Sequence, residues 1–273
     1  MILPILDQAL IILPLLIGAY ITLSLLKVPD FSLESAYLFG AVMAFVGQDL
    51  PLPLIICNAM LGGILVGTIV TTLNQYLKLP YLLAAIISNG LFHGITQYVL
   101  GTSLKSFHPA LMVSEHYLFA LVGVCLVVVI GFALRSQLGY SIAIFGNNPS
   151  FFRHHPISGR YVIYFGVLVA HGCAGIGGFF FALSNGFVDL TMNFGVILLC
   201  LTALILGKSI LRTHLPNILV PLIGLVTYFC VQQTLLRIGL DLKYFNFFQA
   251  CFILIALYFF QRNPKSSLDH LGV

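Results

Sequence analysis

The sequence predicts an all-α integral membrane protein, and three observations support that fold class. Hydrophobic residues make up 60% of the 273 residues, charged residues make up only 7%, and the mean hydropathy is +1.06. A soluble domain usually carries about 25% charged residues, because much of its surface faces water. A chain this apolar needs lipid around it, and no long polar stretch leaves room for a soluble domain. We therefore treat residues 1–273 as a single transmembrane domain.

Apolar segments divide the chain into about nine candidate spans, with eight to ten as the range. A crossing helix needs about 20 apolar residues, because about 30 Å of hydrocarbon is spanned at 1.5 Å per residue. The candidate spans are 1–27, 33–50, 53–77, 80–101, 117–134, 159–184, 191–211, 216–236 and 244–261. Segment 33–50 is short and contains glycine and serine, so a re-entrant or broken helix is an alternative to a full crossing. Segment 1–27 lacks the basic start of a secretory signal and is expected to be a retained span.

Lysine and arginine residues predict the orientation of these spans. With the N-terminus outside, nine of the twelve basic residues face the cytoplasm, in agreement with the positive-inside rule. Those nine are Lys27, Lys78, Arg135, Arg153, Arg160, Lys208, Arg212, Arg262 and Lys265. The other three are Lys105, Arg237 and Lys243. We expect an outside N-terminus and a cytoplasmic C-terminus.

The longest predicted cytoplasmic loop, residues 135–159, contains its own structural signals. Gly139, Gly146 and the turn Asn147-Asn148-Pro149 flank a short apolar run. Proline fixes its own backbone and disfavours the α region for the residue before it, so this turn is expected to end a helix. The pattern predicts a short amphipathic helix, a turn and a second short helical piece. Such a loop suits a docking surface, and an ordinary connector is the alternative.

Uncharged polar side chains inside the spans are the candidates for a substrate path. Asn89, His93 and Gln97 recur every four residues in span four, so they lie on one helix face. This polar stripe either lines a solute route or hydrogen-bonds to neighbouring helices. Asn58 in span three and His171 in span six are further candidates. Small residues beside His171 favour a helix-packing role at that position.

Several classes of function find no support in the sequence. All eight acidic residues fall at predicted span ends or in loops, so we expect no carboxylate at mid-membrane. That expectation weakens a proton- or sodium-driven mechanism. The run Gly207-Lys208-Ser209 resembles the end of a P-loop, but Thr202 stands where the first glycine is needed. The sequence has no recognisable catalytic set, no CxxC pair and no basic nucleic-acid patch, and it predicts neither an enzyme, a cofactor nor a metal site.

Two segments resemble permease subunits of bacterial ABC importers of the branched-chain amino acid and ribose type, particularly the tryptophan/tyrosine-type permeases. The first segment resembles the family's "D-S-E-G-S…G-A" pattern at the start of span two, through Asp30, Ser32, Glu34 and Gly40. The second resembles the coupling segment "G-x-A-L-R-A-x-G-D-N-P", through Leu138, Gly139, Gly146, Asn147, Asn148 and Pro149. The likeness extends over roughly residues 5–262. The usual arginine is missing from residues 141–144, and Asn147 replaces the usual acidic residue.

The resemblance implies a transport function that the residues alone do not show. It implies a permease subunit of the bacterial inner membrane that moves a small polar solute, such as an amino acid, by alternating access. It also implies cytoplasmic ABC ATPase subunits bound to the loop 135–159, an extracytoplasmic substrate-binding protein, and a second permease subunit in a homo- or heterodimer. A self-sufficient secondary transporter or channel is the alternative, and it would need no ATPase partner.

Overall fold

The computed structural model describes residues 2–109, 114–153, 157–211, 216–239 and 244–262, and this part of the chain is almost entirely helical. The α-helices are α1 Ile2–Ala19, α2 Leu33–Val46, α3 Leu52–Gln75, α4 Tyr81–Leu100, α5 Glu115–Arg135, α6 Gln137–Asn147, α7 Gly159–Asn185, α8 Val196–Ile210, α9 Leu219–Arg237 and α10 Phe245–Arg262. A π-helical segment, Tyr20–Leu25, continues α1, and a short 3₁₀ helix covers Pro149–Arg153. The strands β1, Leu104–Ser106, and β2, Phe187–Asp189, form a small sheet.

The apolar helices confirm the predicted class, an all-α membrane protein. Six helices in the described residues are long and apolar enough to cross a membrane, namely α1 with its π segment, α3, α4, α5, α7 and α9. Helices α2 and α8 and the described apolar part of α10 are shorter. Each of the nine predicted segments corresponds to one of these helices, with ends that differ by a few residues. How many of them cross, and in which orientation, stays a prediction.

Helix α7 forms the centre of the protein and packs against α1, α2 and α3. Small residues allow this close packing, as is usual for helices in membranes. An added Cβ at Gly40 of α2 would collide with the backbone of Gly175 in α7. One at Gly178 would collide with the carbonyl group of Tyr37. Helices α2 and α7 therefore meet backbone to backbone and leave no room for side chains at these points.

The chain between the π segment and α2 has no regular helix. Lys27 adopts a left-handed backbone with φ of 54°, which turns the chain out of the helical path. Asp30 and Ser32 then point into the protein and are fully buried, while Pro29 and Phe31 are exposed. Helix α2 has only 14 residues and begins beside the middle of α7. Helix α2 itself is continuous and the break precedes it, so whether segment 33–50 crosses the membrane completely stays a prediction.

This break contradicts the expectation that Asp30 lies in an exposed loop between two spans. Asp30 is 0% exposed, and its Oδ2 lies 3.6 Å from Nε2 of His171, which is near the middle of the long helix α7. The expectation was wrong because it placed Asp30 in a surface loop between two complete spans. In the structure the chain re-enters the helical layer before α2 begins.

Two short strands, one after α4 and one after α7, show how these two helices are oriented relative to each other. Strand β1 follows α4, strand β2 follows α7, and the two pair antiparallel with Leu104 opposite Asp189. The C-terminal ends of α4 and α7 therefore lie on the same side of the protein, as the predicted alternation of spans requires.

The loop 135–159 has the predicted architecture. Helix α6 ends at Asn147, the chain turns, and the 3₁₀ helix begins at Pro149, so the predicted helix, turn and second helical piece are confirmed. The inner face of α6 packs on the π segment and on α7. Gly146 makes this contact, since an added Cβ would collide with the carbonyl oxygen of Leu25.

Candidate functional site

A buried polar cluster joins the chain break to α7 and α4. The hydroxyl of Ser32 donates a hydrogen bond to Asp30 Oδ1 at 2.5 Å, and its oxygen lies 2.9 Å from His171 Nε2. The backbone N–H of Ser32 donates to the same Asp30 oxygen at 3.0 Å. The hydroxyl of Tyr81, the first residue of α4, donates to Asp30 Oδ2 at 3.1 Å. Asp30, Ser32 and His171 are all 0% exposed.

The imidazole ring of His171 is held from its other side as well. Its Nδ1 lies 2.9 Å from the carbonyl oxygen of Val167, one turn earlier in α7. Gly67 of α3 faces the ring and leaves room for it, because an added Cβ would lie 2.9 Å from Cγ of His171. The histidine therefore has a fixed orientation between α3 and the break, and its ring edge points at Ser32.

The other two residues of the span-two motif also have identifiable contacts. Glu34 Oε1 accepts a hydrogen bond of 3.3 Å from the backbone N–H of Ile197, in the first turn of α8. A carboxylate at a helix N-terminus satisfies a free N–H group and favours the helix dipole. Gly40 provides the close contact between α2 and α7 described above. The motif thus orders the break, caps α8 and brings two helices together.

The structure separates the members of the predicted polar stripe. Asn89 is half-buried, its Oδ1 accepts a 2.6 Å hydrogen bond from Ser35 of α2, and its Nδ2 donates to the Phe31 carbonyl at 3.3 Å. His93 and Gln97 lie exposed on the outer face of α4. Asn89 therefore contacts neighbouring elements of the same subunit, whereas His93 and Gln97 face away from it.

The remaining path candidates lie elsewhere. Asn58 is half-buried in α3 beside Gly47, at the end of α2, and His171 belongs to the buried cluster. A cleft of about 290 Å³ lies between residues 23–31 and α8, with largely apolar walls and with Lys27 and Lys208 in its lining. None of the five predicted path residues lines this cleft. The five candidates do not form one continuous site within the described part of a single subunit.

The residues of the predicted coupling segment fall on two sides of α6. Gly139 is buried at the corner between α5 and α6, and Gly146 contacts the π segment. Leu138, Asn147, Asn148 and Pro149 are exposed.

Side-chain hydrogen bonds fix the turn at the end of α6. Asn147 Nδ2 donates to the Ala143 carbonyl at 3.0 Å, and Asn148 Oδ1 accepts from the Ser150 hydroxyl at 2.5 Å. The exposed end of the coupling segment is therefore an ordered surface.

Comparison with known proteins decides the family. The family model of the branched-chain amino acid transport system permease component matches residues 1–257. The chain belongs to this permease family. Nothing among the solved structures matches it significantly.

Two known proteins are similar to the permease over most of its length. An uncharacterized protein, RP368, of Rickettsia prowazekii (strain Madrid E) is 27% identical over 251 residues, which cover 86% of the permease and 89% of the relative. A tyrosine transport system permease protein of Clostridioides difficile (strain R20291) is 26% identical over 224 residues, covering 77% of the permease and 74% of the relative.

Sequence reasoning missed two members of the polar network in the permease. Tyr81 follows a proline at a helix start and Ser35 ends the span-two motif, but no local pattern shows which distant element either side chain contacts. Their roles depend on which helices meet at the break. Within the described residues, no group of three or more His, Cys, Asp or Glu side chains is placed to hold a metal ion.

Proposed function

We propose that this permease is the membrane subunit of an ATP-binding-cassette importer in the bacterial inner membrane. Separate ATPase subunits would bind the cytoplasmic loop 135–159, and an extracytoplasmic binding protein would deliver the solute. Family membership supports the transport role. The observation that carries the ATPase proposal is α6, a short helix with one packed face and one free face.

The two faces of α6 suit the transmission of movement. Ile142 is 5% exposed and packs inward, so the helix is held on the π segment and α7. On the opposite face, Tyr140 and Ile144 are one turn apart and are 42% and 40% exposed, and Leu138 is 52% exposed at the start of the helix. Apolar side chains on a helix outside the predicted spans favour a protein partner, since a helix commonly docks its apolar side into a groove. A partner that pulls on this face would move α6 and the π segment as one body.

A small polar solute, with amino acids as the leading class, fits this proposal best. The relative from Clostridioides difficile is named as a tyrosine transport permease, which supports that class of solute. His93 and Gln97 face outward from α4, where lipid would offer their polar atoms no hydrogen-bond partner. We propose that a second permease subunit covers this face and that the two subunits enclose the path. Gly90 and Gly94 on α4 have open space beside them, which would allow a close approach.

A self-sufficient secondary transporter is the second candidate, because Asp30 is a carboxylate inside the membrane part of the protein. Such groups often mark ion pathways. Asp30, however, has no exposed surface, and its described hydrogen bonds come from Ser32 and Tyr81. A carboxylate enclosed in this way fits a structural or regulatory role better than a solute-coupled ion path.

The decisive experiment places a charge on the free face of α6. Ile144→Asp should abolish co-purification of an ATPase subunit from native membranes and abolish solute-stimulated ATP hydrolysis in proteoliposomes. The thermal midpoint should stay within about 2 °C, because exposed substitutions usually change stability by less than about 0.5 kcal/mol. Leu104→Asp is the matched control, since Leu104 is 51% exposed on β1 and remote from α6.

The possible results separate the two candidates. Loss of the ATPase in Ile144→Asp, with retention in Leu104→Asp, supports the importer. Solute transport by the purified permease without any ATPase would support the secondary transporter and refute the proposal. An ATPase that remains bound and stimulated in Ile144→Asp would show that the loop is an ordinary connector.

A further inference from the structure

The buried contacts of Asp30, Ser32 and His171 determine how many hydrogen atoms these side chains must carry. The oxygen of Ser32 lies 2.5 Å from Asp30 Oδ1 and 2.9 Å from His171 Nε2. His171 Nδ1 lies 2.9 Å from the carbonyl oxygen of Val167. All three distances are in the hydrogen-bond range, so each contact requires a hydrogen atom of its own.

Counting the hydrogens shows that one is missing from the neutral set. A carbonyl oxygen only accepts, so Nδ1 of His171 must carry the hydrogen that points at Val167. A neutral imidazole then has none on Nε2, and the hydroxyl of Ser32 has one hydrogen for two neighbours. Neutral histidine, serine and an ionised aspartate therefore supply two hydrogens for three contacts. One additional proton completes the network.

We propose that Asp30, Ser32 and His171 form a proton-binding site in the membrane part of the permease, with the bound proton on Nε2 of His171. The imidazolium donates to the Ser32 oxygen, and the Ser32 hydroxyl donates to Asp30. The carboxylate also accepts from the backbone N–H of Ser32 and from Tyr81, so it acts as an acceptor in each of these contacts. This donor set matches an ionised carboxylate, which can only accept.

The burial of the site favours the protonated state on charge grounds. Binding of one proton from water changes the charge of the three side chains from −1 to 0. All three are 0% exposed. An unbalanced charge without contact with water is strongly disfavoured, whereas an opposed and hydrogen-bonded pair is tolerated. The hydrogen count and the charge balance therefore both favour one additional proton bound to these three side chains.

The other ionisable groups described near the site contact Asp30 or lie away from the His171 ring. Tyr81 of α4 donates to Asp30, and Glu34 of α2 is directed to the N-terminus of α8. Lys27 lines the cleft on the other side of the break, and Cys173 is buried further along α7. Helix α3 presents groups that do not ionise, namely Gly63, Gly67 and Thr71.

The proton would hold the chain break against α7. Its loss removes the hydrogen bond between Nε2 and Ser32 and leaves the carboxylate of Asp30 without a buried counter-charge. Because α2 begins immediately after Ser32, loss of this proton would loosen the start of α2 from α7. This inference goes beyond the proposed transport function and does not depend on it.

Nitrogen NMR of the imidazole tests the proton directly. Protein labelled with ¹⁵N-histidine is placed in lipid bilayers at pH 7.5, where free histidine, with a pKa of about 6.5, is mostly neutral. We expect one histidine whose two ring nitrogens both carry protons, and His171→Gln should remove that signal. Ser32→Ala and Asp30→Asn should each convert it to the neutral form protonated on Nδ1.

The wild-type spectrum alone can overturn the proposal, so a variant that fails to fold does not leave it undecided. A neutral His171 ring at pH 7.5 in the folded wild-type protein would refute the assignment of the bound proton to Nε2. A cationic His171 that persists unchanged in folded Ser32→Ala and Asp30→Asn would refute the assigned network. Neither readout requires an ATPase or transport, so failure here is distinguishable from failure of the importer proposal.

Discussion

Replacing Gly146 with alanine should detach the coupling helix from the membrane part of the protein. A Cβ at this position would lie 1.9 Å from the carbonyl oxygen of Leu25, whereas real Cβ atoms essentially never come closer than 3.0 Å to another heavy atom. The difference, 3.0 − 1.9 = 1.1 Å, is the least distance by which α6 and the π segment must separate. The obstructing atoms belong to the backbone of Leu25 and Leu26, so no side-chain rotation can relieve the collision.

The expected size of the effect follows from two opposing terms. Overpacking of this kind costs about 1–3 kcal/mol, and alanine regains about 1 kcal/mol over glycine through its helix propensity. The net loss is therefore up to about 2 kcal/mol. For a protein of about 250 residues, each kcal/mol corresponds to about 2–4 °C, so the thermal midpoint should fall by up to about 8 °C. The ATPase should also be lost, because α6 would no longer pack on the π segment.

Circular dichroism of the detergent-solubilised protein is the appropriate assay, because the sequence contains no tryptophan to report unfolding by fluorescence. Gly131→Ala in α5 is the control, since its added Cβ would make only an ordinary contact of 3.5 Å with the Ile218 side chain. That variant should be unchanged or slightly stabilised. If Gly146→Ala unfolds at the same temperature as Gly131→Ala and retains the ATPase, then α6 does not pack on the π segment and the rigid-body argument fails.

Two further predictions concern topology and the solute path. In a cysteine-free background, Ser103→Cys should react with an impermeant thiol reagent added outside intact cells and Ser150→Cys should not; reversed labelling would refute the predicted orientation. Gln97→Leu should abolish transport without lowering the thermal midpoint. Asn89→Leu should lower the midpoint, because it loses its contacts with Ser35 and Phe31 and each such bond is worth about 0.6 kcal/mol. Normal transport by Gln97→Leu would exclude that residue from the path.

The helices and the coupling loop could be predicted because their signals are local. Apolar runs of sufficient length require a helix in lipid, since the backbone has no other hydrogen-bond partners there. The boundaries of α3, α4 and α7 lie within two residues of the predicted segments for this reason. Likewise, the turn at Pro149 is encoded by the proline itself.

The chain break was only partly predictable. The short segment 33–50 gave a re-entrant or broken helix as an alternative, but the burial of Asp30 did not follow from its neighbours in sequence. A carboxylate between two apolar runs normally indicates a surface loop, and the depth of this one depends on where α7 lies. His171 is separated from Ser32 by 139 residues, so no local pattern could pair them.

By itself, the sequence determined the membrane class, the helical segments, the family likeness and the short helix in the coupling loop. Those properties follow from the hydropathy, the turn residues and the motif positions of each segment taken separately. The tertiary structure decided which polar groups meet: Asp30 with His171, Glu34 with the first turn of α8, and Gly146 with the end of the π segment. Such contacts depend on packing between distant helices, and glycine-sized gaps fix that packing to within about an ångström.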